Sequence, residues 1–579
     1  MLRLLLRYLK NYWLQTILVF LFVGIQAGCQ LYLPGMMGNI VDNGVARGDI
    51  SYILESGMLM LGVSLFAAVC MVASSYYSAY VTASFTSSIR ADVFAKVKSF
   101  SQTDFNRFGG ATLLTRSTSD ATQMQIVVIN GLRTLLLVPI TGLGALVMAF
   151  RVNALLSTIL LASFTLTTLM ILLTVKRSMP LFATRQEKLD RLNILIKEKL
   201  SGVRAIRAFR RQDYEKEKFA DENADAMAAA LRANYAVSFF NPLMQLMMNL
   251  TVVVILWIGA EQIEAKVFLI GDLMVFIQYV LLFMSALSLI SVLLMAYPQA
   301  QVSALRVKEV LDSKNAIVDP PEPRILPQVK GRIEFDAVSF GYDKAEKQVL
   351  NSLSFVAEPG KVTAIIGATG SGKTTLVQLM MRLYEVSSGS ITIDGTDVRD
   401  LAQQDLHQMI TYAPQKSILI GNTVMESVRF GDSEASEDDV IAALKTAQAY
   451  DFIVSREDGL DSLIYQGGKD FSGGQRQRLS IARALLKKAS VVIFDDCFSA
   501  LDFKTDSLVR QGLRETLQDV TVIIVAQRVS TVKHADQILI LDQGSIVGQG
   551  RHEELAESCT VYQEILASQA YYEGREESL

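Results

Sequence analysis

The chain is poor in cysteine, in histidine and in surplus positive charge, and these shortages exclude several classes of protein. Its four cysteines, Cys29, Cys70, Cys497 and Cys559, are scattered over 579 residues. So few and so widely spaced, they exclude a disulfide framework and a cysteine-based metal site. The formal net charge of −3 lacks the basic surplus of a nucleic-acid-binding protein, so we expect no nucleic-acid partner.

Charged residues are also scarce over much of the first 300 residues, where long apolar runs take their place. A bilayer requires about 20 mostly apolar residues for each helical span. Six stretches meet this requirement, at 14–36, 56–82, 126–150, 154–175, 236–260 and 270–297. Beyond residue 311 the composition becomes that of a soluble α/β protein. The sequence therefore predicts an α-helical six-span membrane domain followed by a soluble domain.

The segments between the spans differ in charge, and this difference predicts the topology. Segment 176–235 carries fourteen Lys or Arg, and segment 84–122 is also basic, whereas the turn after the first span is short and acidic. Positively charged segments remain on the cytoplasmic side of a membrane. Both long segments and both termini are therefore predicted to be cytoplasmic, with residues 1–10 as an amphipathic helix on that surface.

A linker separates the two predicted domains. Residues 319–323 read DPPEP, and proline cannot continue a helix because it lacks an amide hydrogen. The alternating sequence from Gly331 onward indicates an edge strand. We divide the chain into a membrane domain over 1–310, a linker over 311–330 and a soluble domain over 331–579.

The soluble domain begins with a phosphate-binding pattern. Residues 367–375 read GATGSGKTT after the apolar strand that starts at Val362, and they fit the motif G-x-x-x-x-G-K-[ST]. Backbone amides of such a loop and the following helix N-terminus form an anion site. Lys373 is expected to reach the β and γ phosphates of a nucleotide, and the Thr374 hydroxyl to bind Mg²⁺. Many NTPases share this loop, so alone it is only moderately specific.

Further motifs follow in a fixed order. They are TYAPQ at 411–415, FSGGQ at 471–475, VVIFDD at 491–496 and SALD at 499–502. Together with the six spans, this order resembles the ATP-binding cassette (ABC) transporters over essentially the whole chain. The resemblance implies a RecA-like α/β cassette with antiparallel β and helical subdomains, and long cytoplasmic helical extensions from the spans. It also implies short coupling helices near 102–108 and 203–211, for which a solvated charged helix is the alternative.

The resemblance also implies a role for each motif, with ATP and Mg²⁺ as cofactors. Gln415 would contact the metal and the attacking water, and Asp495 would hold Mg²⁺ through water. Tyr342 would stack on adenine, although a strand-edge aromatic is an equally good interpretation. The remaining nucleotide contacts implied are Gly367, Thr369, Gly370, Ser371, Gly372, Lys373, Thr374 and Thr375 of the loop, Ser472, Gly473, Gly474 and Gln475 of the signature, and Asp502.

Three positions depart from the family pattern. Asp496 stands where a catalytic glutamate is usual, Gln527 where a histidine is usual, and Gln466 where a glutamate usually precedes the signature. Aspartate is one methylene shorter than glutamate, and a misplacement of about 1 Å can reduce a rate roughly a hundredfold. Glutamine cannot carry a proton as histidine does. These changes predict a site that binds ATP but hydrolyses it slowly, with neutral drift in an active enzyme as the alternative.

The departures also predict how the chain assembles. In the family, cassettes close head to tail, so each ATP lies between one phosphate loop and the other chain's signature. This chain would supply an intact signature to the hydrolytic site of a non-identical partner. We expect an obligate heterodimer that exports drugs, lipids or other amphipathic compounds across the cell membrane. An ATP-gated sensor, or an importer built on the same fold, are the alternatives.

Overall fold

The structure is a computed structural model that describes residues 2–343, 345, 347–465 and 467–576. Its chain forms two compact units. The helical unit comprises Met1–Lys98 and Gly110–Ser313, and the α/β unit comprises Ser99–Gly109 and Lys314–Leu579. The short segment Ser99–Gly109 thus belongs to the α/β unit, although it interrupts the helical unit in the sequence.

Helices dominate the first 313 residues. In chain order they are α1 (Leu2–Leu9), α2 (Trp13–Asn39), α3 (Ile50–Lys98), α4 (Gln102–Phe108), α5 (Gly110–Thr115), α6 (Ala121–Val152), α7 (Ala154–Ser201), α8 (Val203–Ala208), α9 (Gln212–Ser238), α10 (Phe240–Glu264) and α11 (Ile270–Leu311). Short 3₁₀ and π segments extend some of these helices.

Six helical segments of the described chain are long and apolar enough to cross a membrane. They are Leu4–Val45, Ile50–Lys98, Gly110–Val152, Ala154–Ser201, Pro242–Glu264 and Ile270–Ile290. The six-span fold class predicted from the sequence is confirmed. Several helices are longer than the predicted spans: α3 continues past residue 82 to Lys98, and α7 continues past residue 175 to Ser201.

The very short joint between α6 and α7 depends on one residue. Asn153 leaves the helical conformation with φ −157° and ψ 114°. Its side-chain oxygen accepts hydrogen bonds from the amides of Leu155 and Leu156, at 3.0 and 3.1 Å. This is an N-cap, which satisfies amides that have no partner inside the helix. The Asn153 amide group also donates to Gln262 Oε1 at 2.6 Å, which ties the joint to α10.

Two polar contacts hold the first part of α11 within the helical unit. The amide of Gly271 donates to Asp42 Oδ1 at 2.7 Å, and a Cβ at position 271 would lie 2.3 Å from Asp42 Oδ2. Glycine is therefore needed for this approach. Further along α11, the Tyr279 hydroxyl donates to the carbonyl of Leu31 at 3.1 Å, beside the fully buried ring of Phe276.

Two sheets form the framework of the α/β unit. The strands are β1 (Ile333–Phe340), β2 (Leu350–Ala357), β3 (Val362–Ile366), β4 (Ser388–Ile393), β5 (Thr396–Asp397), β6 (Ile410–Ala413), β7 (Val491–Asp495), β8 (Thr521–Ala526), β9 (Gln537–Asp542) and β10 (Ser545–Gly550). One sheet has the order β2-β1-β4-β5, and the other has the order β10-β9-β3-β8-β7-β6. The first is antiparallel, whereas β9, β3, β8, β7 and β6 are parallel to one another.

In the described part of the α/β unit, ten helices follow residue 372. They are α12 (Lys373–Met380), α13 (Gln403–Met409), α14 (Val424–Arg429), α15 (Glu437–Thr446), α16 (Tyr450–Val454), α17 (Gly473–Leu486), α18 (Phe503–Thr516), α19 (Val529–Val532), α20 (His552–Ser558) and α21 (Thr560–Glu576). The buried aliphatic face of the six-stranded sheet packs against α14, α15 and α17 in one continuous core.

Helix α4 packs within the α/β unit through polar contacts. Asn106 Nδ2 donates to the Tyr384 hydroxyl at 3.0 Å, and Asp104 Oδ2 accepts from the amide of Ala316 at 2.9 Å. Ser101 and Asp104 form a capping box at the start of the helix. Helix α8, in the helical unit, instead has no buried residue. A coupling role for either helix stays a prediction.

The parallel order of β3, β8, β7 and β6 determines where the functional side chains meet. The carboxyl ends of parallel strands lie along one edge of a sheet, and ligands of open α/β sheets bind there. The phosphate loop follows β3, Gln527 follows β8 and Gln415 follows β6, while Asp495 ends β7. The fold therefore places these groups, distant in sequence, along a single edge.

Candidate nucleotide-binding site

The phosphate loop is built around glycines that no other residue could replace without strain. A Cβ at Gly367 would lie 2.1 Å from the carbonyl oxygen of Leu541, and Gly372 has φ +103° where it begins α12. Lys373 bends back over the loop, and its Nζ donates to the carbonyls of Gly367 and Ala368 at 2.9 and 2.8 Å. Burial lowers the pKa of Lys373.

The loop is suited to hold a polyphosphate. Among the described residues, the buried Ser371 hydroxyl has no hydrogen-bond partner, and an anion between the loop and α12 would supply one. Beside it lies a cavity of about 300 Å³. Its lining residues are Val349, Thr369, Gly370, Gly372, Lys373, Thr374, Thr375, Gln415, Asp495, Asp496, Val525 and Gln527. Residues predicted from three separate motifs thus face one cavity.

Asp495 is held through both of its carboxylate oxygens. Thr374 Oγ1 lies 3.4 Å from Oδ1, and the Tyr412 hydroxyl donates to Oδ2 at 3.1 Å. Burial raises the pKa of Asp495. Hydroxyl and carboxylate oxygens are the ligands that Mg²⁺ prefers, together with water and phosphate oxygens, so these two side chains could hold the metal. Tyr412 was not predicted, although it lies in the same motif as Gln415.

Asp496 is bound by two amides. Gln415 Nε2 and Gln527 Nε2 both donate to Asp496 Oδ2, each at 3.0 Å. The backbone of Asp496 has φ +49°, a conformation that aspartate tolerates better than most residues, and its amide donates to the carbonyl of Val525 at 2.9 Å. Burial raises the pKa of Asp496, against the two amides and Lys373, which lower it.

Tyr342 lies beside the loop but does not line the cavity. Its hydroxyl is 2.9 Å from Thr375 Oγ1. Its ring makes an edge contact with Tyr384, with centroids 5.3 Å apart and planes at 86°. The residue is 37% exposed. Adenine stacking by Tyr342 stays a prediction.

The signature residues lie elsewhere in the unit. Ser472 caps α17: its hydroxyl accepts from the Gln475 amide at 3.2 Å, and Gln475 Oε1 accepts from the Ser472 amide at 2.9 Å. A Cβ at Gly474 would lie 3.0 Å from the carbonyl oxygen of Ala500, and Gly473 is the first residue of the helix. Within the described chain, none of these residues lines the cavity of the phosphate loop.

Asp502 also lies outside that cavity. Its Oδ1 accepts from the amide of Thr505 at 3.0 Å and caps α18, and this hydrogen bond lowers the pKa of the carboxyl group. Gln477 Oε1, which was not predicted, accepts from the amide of Ala500 at 3.2 Å and thereby links α17 to the same loop. Gln466 lies outside the described residues. The described residues contain no group of three or more His, Cys, Asp or Glu that could hold a metal ion.

Comparison with known proteins identifies the fold and the family of the chain. Residues 16–287 match the family model described as "ABC transporter transmembrane region", and residues 350–499 match the model described as "ABC transporter". A solved structure of a bacterial Atm1-family ABC exporter with ATP bound has the same fold, with a TM-score of 0.82, 22% sequence identity and coverage of 97% of this chain and 98% of that chain.

Two curated bacterial proteins are similar over nearly their full length. An uncharacterised ABC transporter ATP-binding protein of Mycobacterium tuberculosis is 38% identical, over 93% of this chain and 93% of its own. An ATP-dependent lipid A-core flippase of Chromobacterium violaceum is 29% identical, over 97% of this chain and 96% of its own. The chain therefore belongs to the ABC transporter family, as a multi-pass membrane protein with an ATP-binding cassette that drives transport.

Proposed function

We propose that the chain is one half of a heterodimeric ABC exporter and that its own phosphate-loop site binds ATP but hydrolyses it slowly. The observation that carries this proposal is the environment of Asp496. One oxygen of this short carboxylate accepts hydrogen bonds from both Gln415 and Gln527. The residues of the site that follow β6, β7 and β8 thus bind one another across the carboxyl edge of the sheet.

A hydrolytic site needs a base within hydrogen-bond reach of the attacking water. Asp496 is one methylene shorter than glutamate, so its carboxylate lies closer to the sheet. Gln527 can donate to a γ-phosphate, but its amide cannot take up a proton or carry a charge. The site therefore retains groups that recognise ATP and lacks the glutamate and the histidine that would activate the attacking water.

ATP and Mg²⁺ are assigned to the same cavity. Lys373 and the loop amides would hold the phosphates, and Thr374 and Asp495 would hold Mg²⁺, with the Gln415 side chain beside them. Mg²⁺ in such a site neutralises phosphate charge. The Ser371 hydroxyl, buried without a partner, supports a phosphate group at this position.

The signature supports a role at a second site. Ser472, Gly473, Gly474 and Gln475 retain the sequence and the capped helix start that would present donors to a γ-phosphate. Because these residues do not line the cavity of their own chain, we assign them to the ATP site of a second cassette. With this chain's own site slow, the second cassette must supply the hydrolytic pair, which requires a non-identical partner.

We assign the transported compound to hydrophobic or amphipathic molecules such as drugs or lipids. The spans consist mainly of apolar residues, and the related lipid A-core flippase acts on an amphipathic lipid. We place the α/β unit and both termini in the cytoplasm because segments 84–122 and 176–235 are basic. We assign export as the direction of transport because the six spans and the cassette lie in one chain, as is usual for exporters of this family.

The test is ATP hydrolysis by the purified chain, alone and co-purified with the half-transporter encoded beside it. We expect negligible hydrolysis by the chain alone and rapid hydrolysis by the pair. In the pair, replacing the partner's catalytic glutamate with glutamine should abolish hydrolysis, whereas Asp496→Asn should leave most of it. Rapid hydrolysis by the chain alone would show that Asp496 is a competent base and would overturn the proposal.

A further inference from the structure

The last helix of the α/β unit contacts the backbone that carries Gln527. Helix α21 is anchored by Tyr562, whose ring is fully buried and whose hydroxyl is 2.8 Å from His552 Nδ1. Burial raises the pKa of Tyr562 to about 12. One and two turns further on, Ile565, Leu566 and Gln569 lie on the same helix face as Tyr562, and the first two pack against the core.

Gln569 makes two hydrogen bonds with this backbone. Its Nε2 donates to the carbonyl of Gln527 at 2.8 Å, and its Oε1 accepts from the amide of Val529 at 2.8 Å. Arg528, between them, is extended with φ −94° and ψ 131°, so the carbonyl before it and the amide after it point to the same side. A single primary amide fits this pair, and only one orientation of that amide satisfies both groups.

The hydrogen bond from the Val529 amide to Gln569 satisfies a donor that has no partner within α19. Val529 is the first residue of α19, and Arg528 provides no side-chain cap. The first amides of a helix have no partner within it. Gln569 supplies one from α21, forty residues away in the sequence. Gln569 thus holds the backbone carbonyl of Gln527, while the side chain of Gln527 donates to Asp496.

We propose that Gln569 is a positioning residue for Gln527 and thereby controls how long the γ-phosphate is retained at this chain's ATP site. Gln527 lines the cavity beside Lys373, and its side chain can turn from Asp496 to a γ-phosphate while Gln569 holds the main chain still. Without Gln569, the carbonyl of Gln527 and the amide of Val529 lose their shared hydrogen-bond partner. The main chain of Gln527 can then shift, and its side chain shifts with it.

This inference rests on the proposed ATP site, and its test does not depend on hydrolysis. Full-length chain in lipid nanodiscs would be loaded with Mg²⁺ and a fluorescent N-methylanthraniloyl derivative of either AMPPNP, which has a non-hydrolysable γ-phosphate, or ADP, which has none. Release would be followed in a stopped-flow chase. We expect Gln569→Ala to speed release of the AMPPNP derivative on the order of tenfold, as the loss of two hydrogen bonds allows, and to leave release of the ADP derivative unchanged.

Further variants separate positioning from general stabilisation. Gln563, on the same helix, donates to the carbonyls of Ala556 and Glu557 at 2.8 and 3.1 Å, and its side-chain hydrogen bonds within the described chain lie away from the Gln527 segment. Gln563→Ala should leave both release rates unchanged. Gln569→Glu keeps the acceptor for Val529 but places a carboxylate against the Gln527 carbonyl, so it should behave like Gln569→Ala and provides a second variant if the first folds poorly.

The decisive measurement is a double-mutant cycle. If Gln569 acts through Gln527, then Gln569→Ala should add nothing to the effect of Gln527→Ala. Additive effects, equal acceleration of both nucleotides, or a wild-type rate in Gln569→Ala would overturn the inference. The proposed slow site fails by a different result, which is rapid ATP hydrolysis by the wild-type chain alone.

Discussion

Two regions of the cassette differ in how their functional groups are satisfied. Along the carboxyl edge of the six-stranded sheet, side chains from separate strands bind one another: Gln415 and Gln527 donate to Asp496, and Tyr412 donates to Asp495. At the signature, the side-chain hydrogen bonds of the described residues are local, since the side chains of Ser472 and Gln475 each accept from the other's backbone amide in the capping box.

The difference teaches which residues serve which site. Asp496 and Gln527, the two departures from the family pattern among the described residues, lie at the carboxyl edge of the six-stranded sheet and line this chain's own cavity. The signature, which does not line that cavity, keeps the family sequence. A chain whose own site has no need to hydrolyse ATP, but whose signature serves another subunit, would show this division.

The largest effect is expected from a substitution in the signature. In Gly474→Asp, the new side chain would meet the carbonyl oxygen of Ala500, since even a Cβ there lies 3.0 Å away, and would place negative charge at the start of α17. We expect hydrolysis by the proposed heterodimer to fall about 10² to 10³-fold, as when donors to a reacting oxygen are lost. Steady-state ATPase assays measure this.

The matched variant in the phosphate-loop site is Lys373→Ala. It removes the amine that would hold the phosphates of this chain's own site, and we expect the heterodimer's hydrolysis to fall about tenfold or less. If Lys373→Ala abolished hydrolysis as completely as Gly474→Asp, the phosphate-loop site and the signature would be equally important for hydrolysis. The difference between the two regions would then not hold.

A second prediction concerns a variant in which the glutamate and the histidine usual in the family replace Asp496 and Gln527. The double variant Asp496→Glu with Gln527→His would move the carboxylate outward by one methylene and replace an amide with a titratable ring. We expect ATP hydrolysis by the chain alone to rise about a hundredfold, because correct placement of the base is worth that much. Asp496→Glu alone should give a smaller gain, and an unchanged rate in the double variant would contradict the interpretation of these two residues.

A third prediction concerns Tyr412. Tyr412→Phe removes the hydroxyl that donates to Asp495 Oδ2 and keeps the ring in place. A hydrogen bond to a charged group is worth about 1.5 to 3 kcal/mol, so the affinity of this chain for Mg²⁺–ATP should fall about tenfold. Hydrolysis by the heterodimer should change less than binding does. Isothermal titration and ATPase assays on the same preparation would compare the two, and an equal loss in both would contradict the separation of roles.

The smallest expected effect is a pH dependence of stability. Burial raises the pKa of both Asp495 and Asp496, so the folded chain keeps protons at a pH where the unfolded chain has lost them. The contribution of these two groups to stability should therefore fall as pH rises from the ordinary aspartate pKa, about 3.9, through the raised values, and then level off. Asp496→Asn should make this fall shallower in the unfolding temperature of the nucleotide-free chain. A difference in unfolding temperature between the wild type and Asp496→Asn that stays constant over this window would contradict the prediction.

Much of the fold could be predicted because its signals are local or periodic. Apolar runs of sufficient length define the six spans, and the motifs of the cassette fall at strand ends that parallel pairing brings together. Helix ends were harder to place. The fifth predicted span begins at 236, whereas α10 begins at Phe240, because apolar composition continues through the turn that separates α9 from α10.

The contacts that support the site were less predictable. Tyr412 had a signal, since it lies three residues before Gln415 in the same motif. Gln569 had none: it lies forty-two residues after Gln527, in a helix without any motif, and glutamine is common on helix surfaces. Its contact depends on how α21 docks on the core, which no local pattern of the sequence specifies.

The assignment of α4 to the α/β unit has a consequence for engineering. The chain passes between the two units at three peptide bonds, after Lys98, Gly109 and Ser313. A chimera that exchanged only the segment after Ser313 would separate Asn106 from Tyr384 and Asp104 from the Ala316 amide. The exchangeable module is discontinuous in the gene, and a functional graft of this cassette onto another transporter should carry Ser99–Gly109 with it.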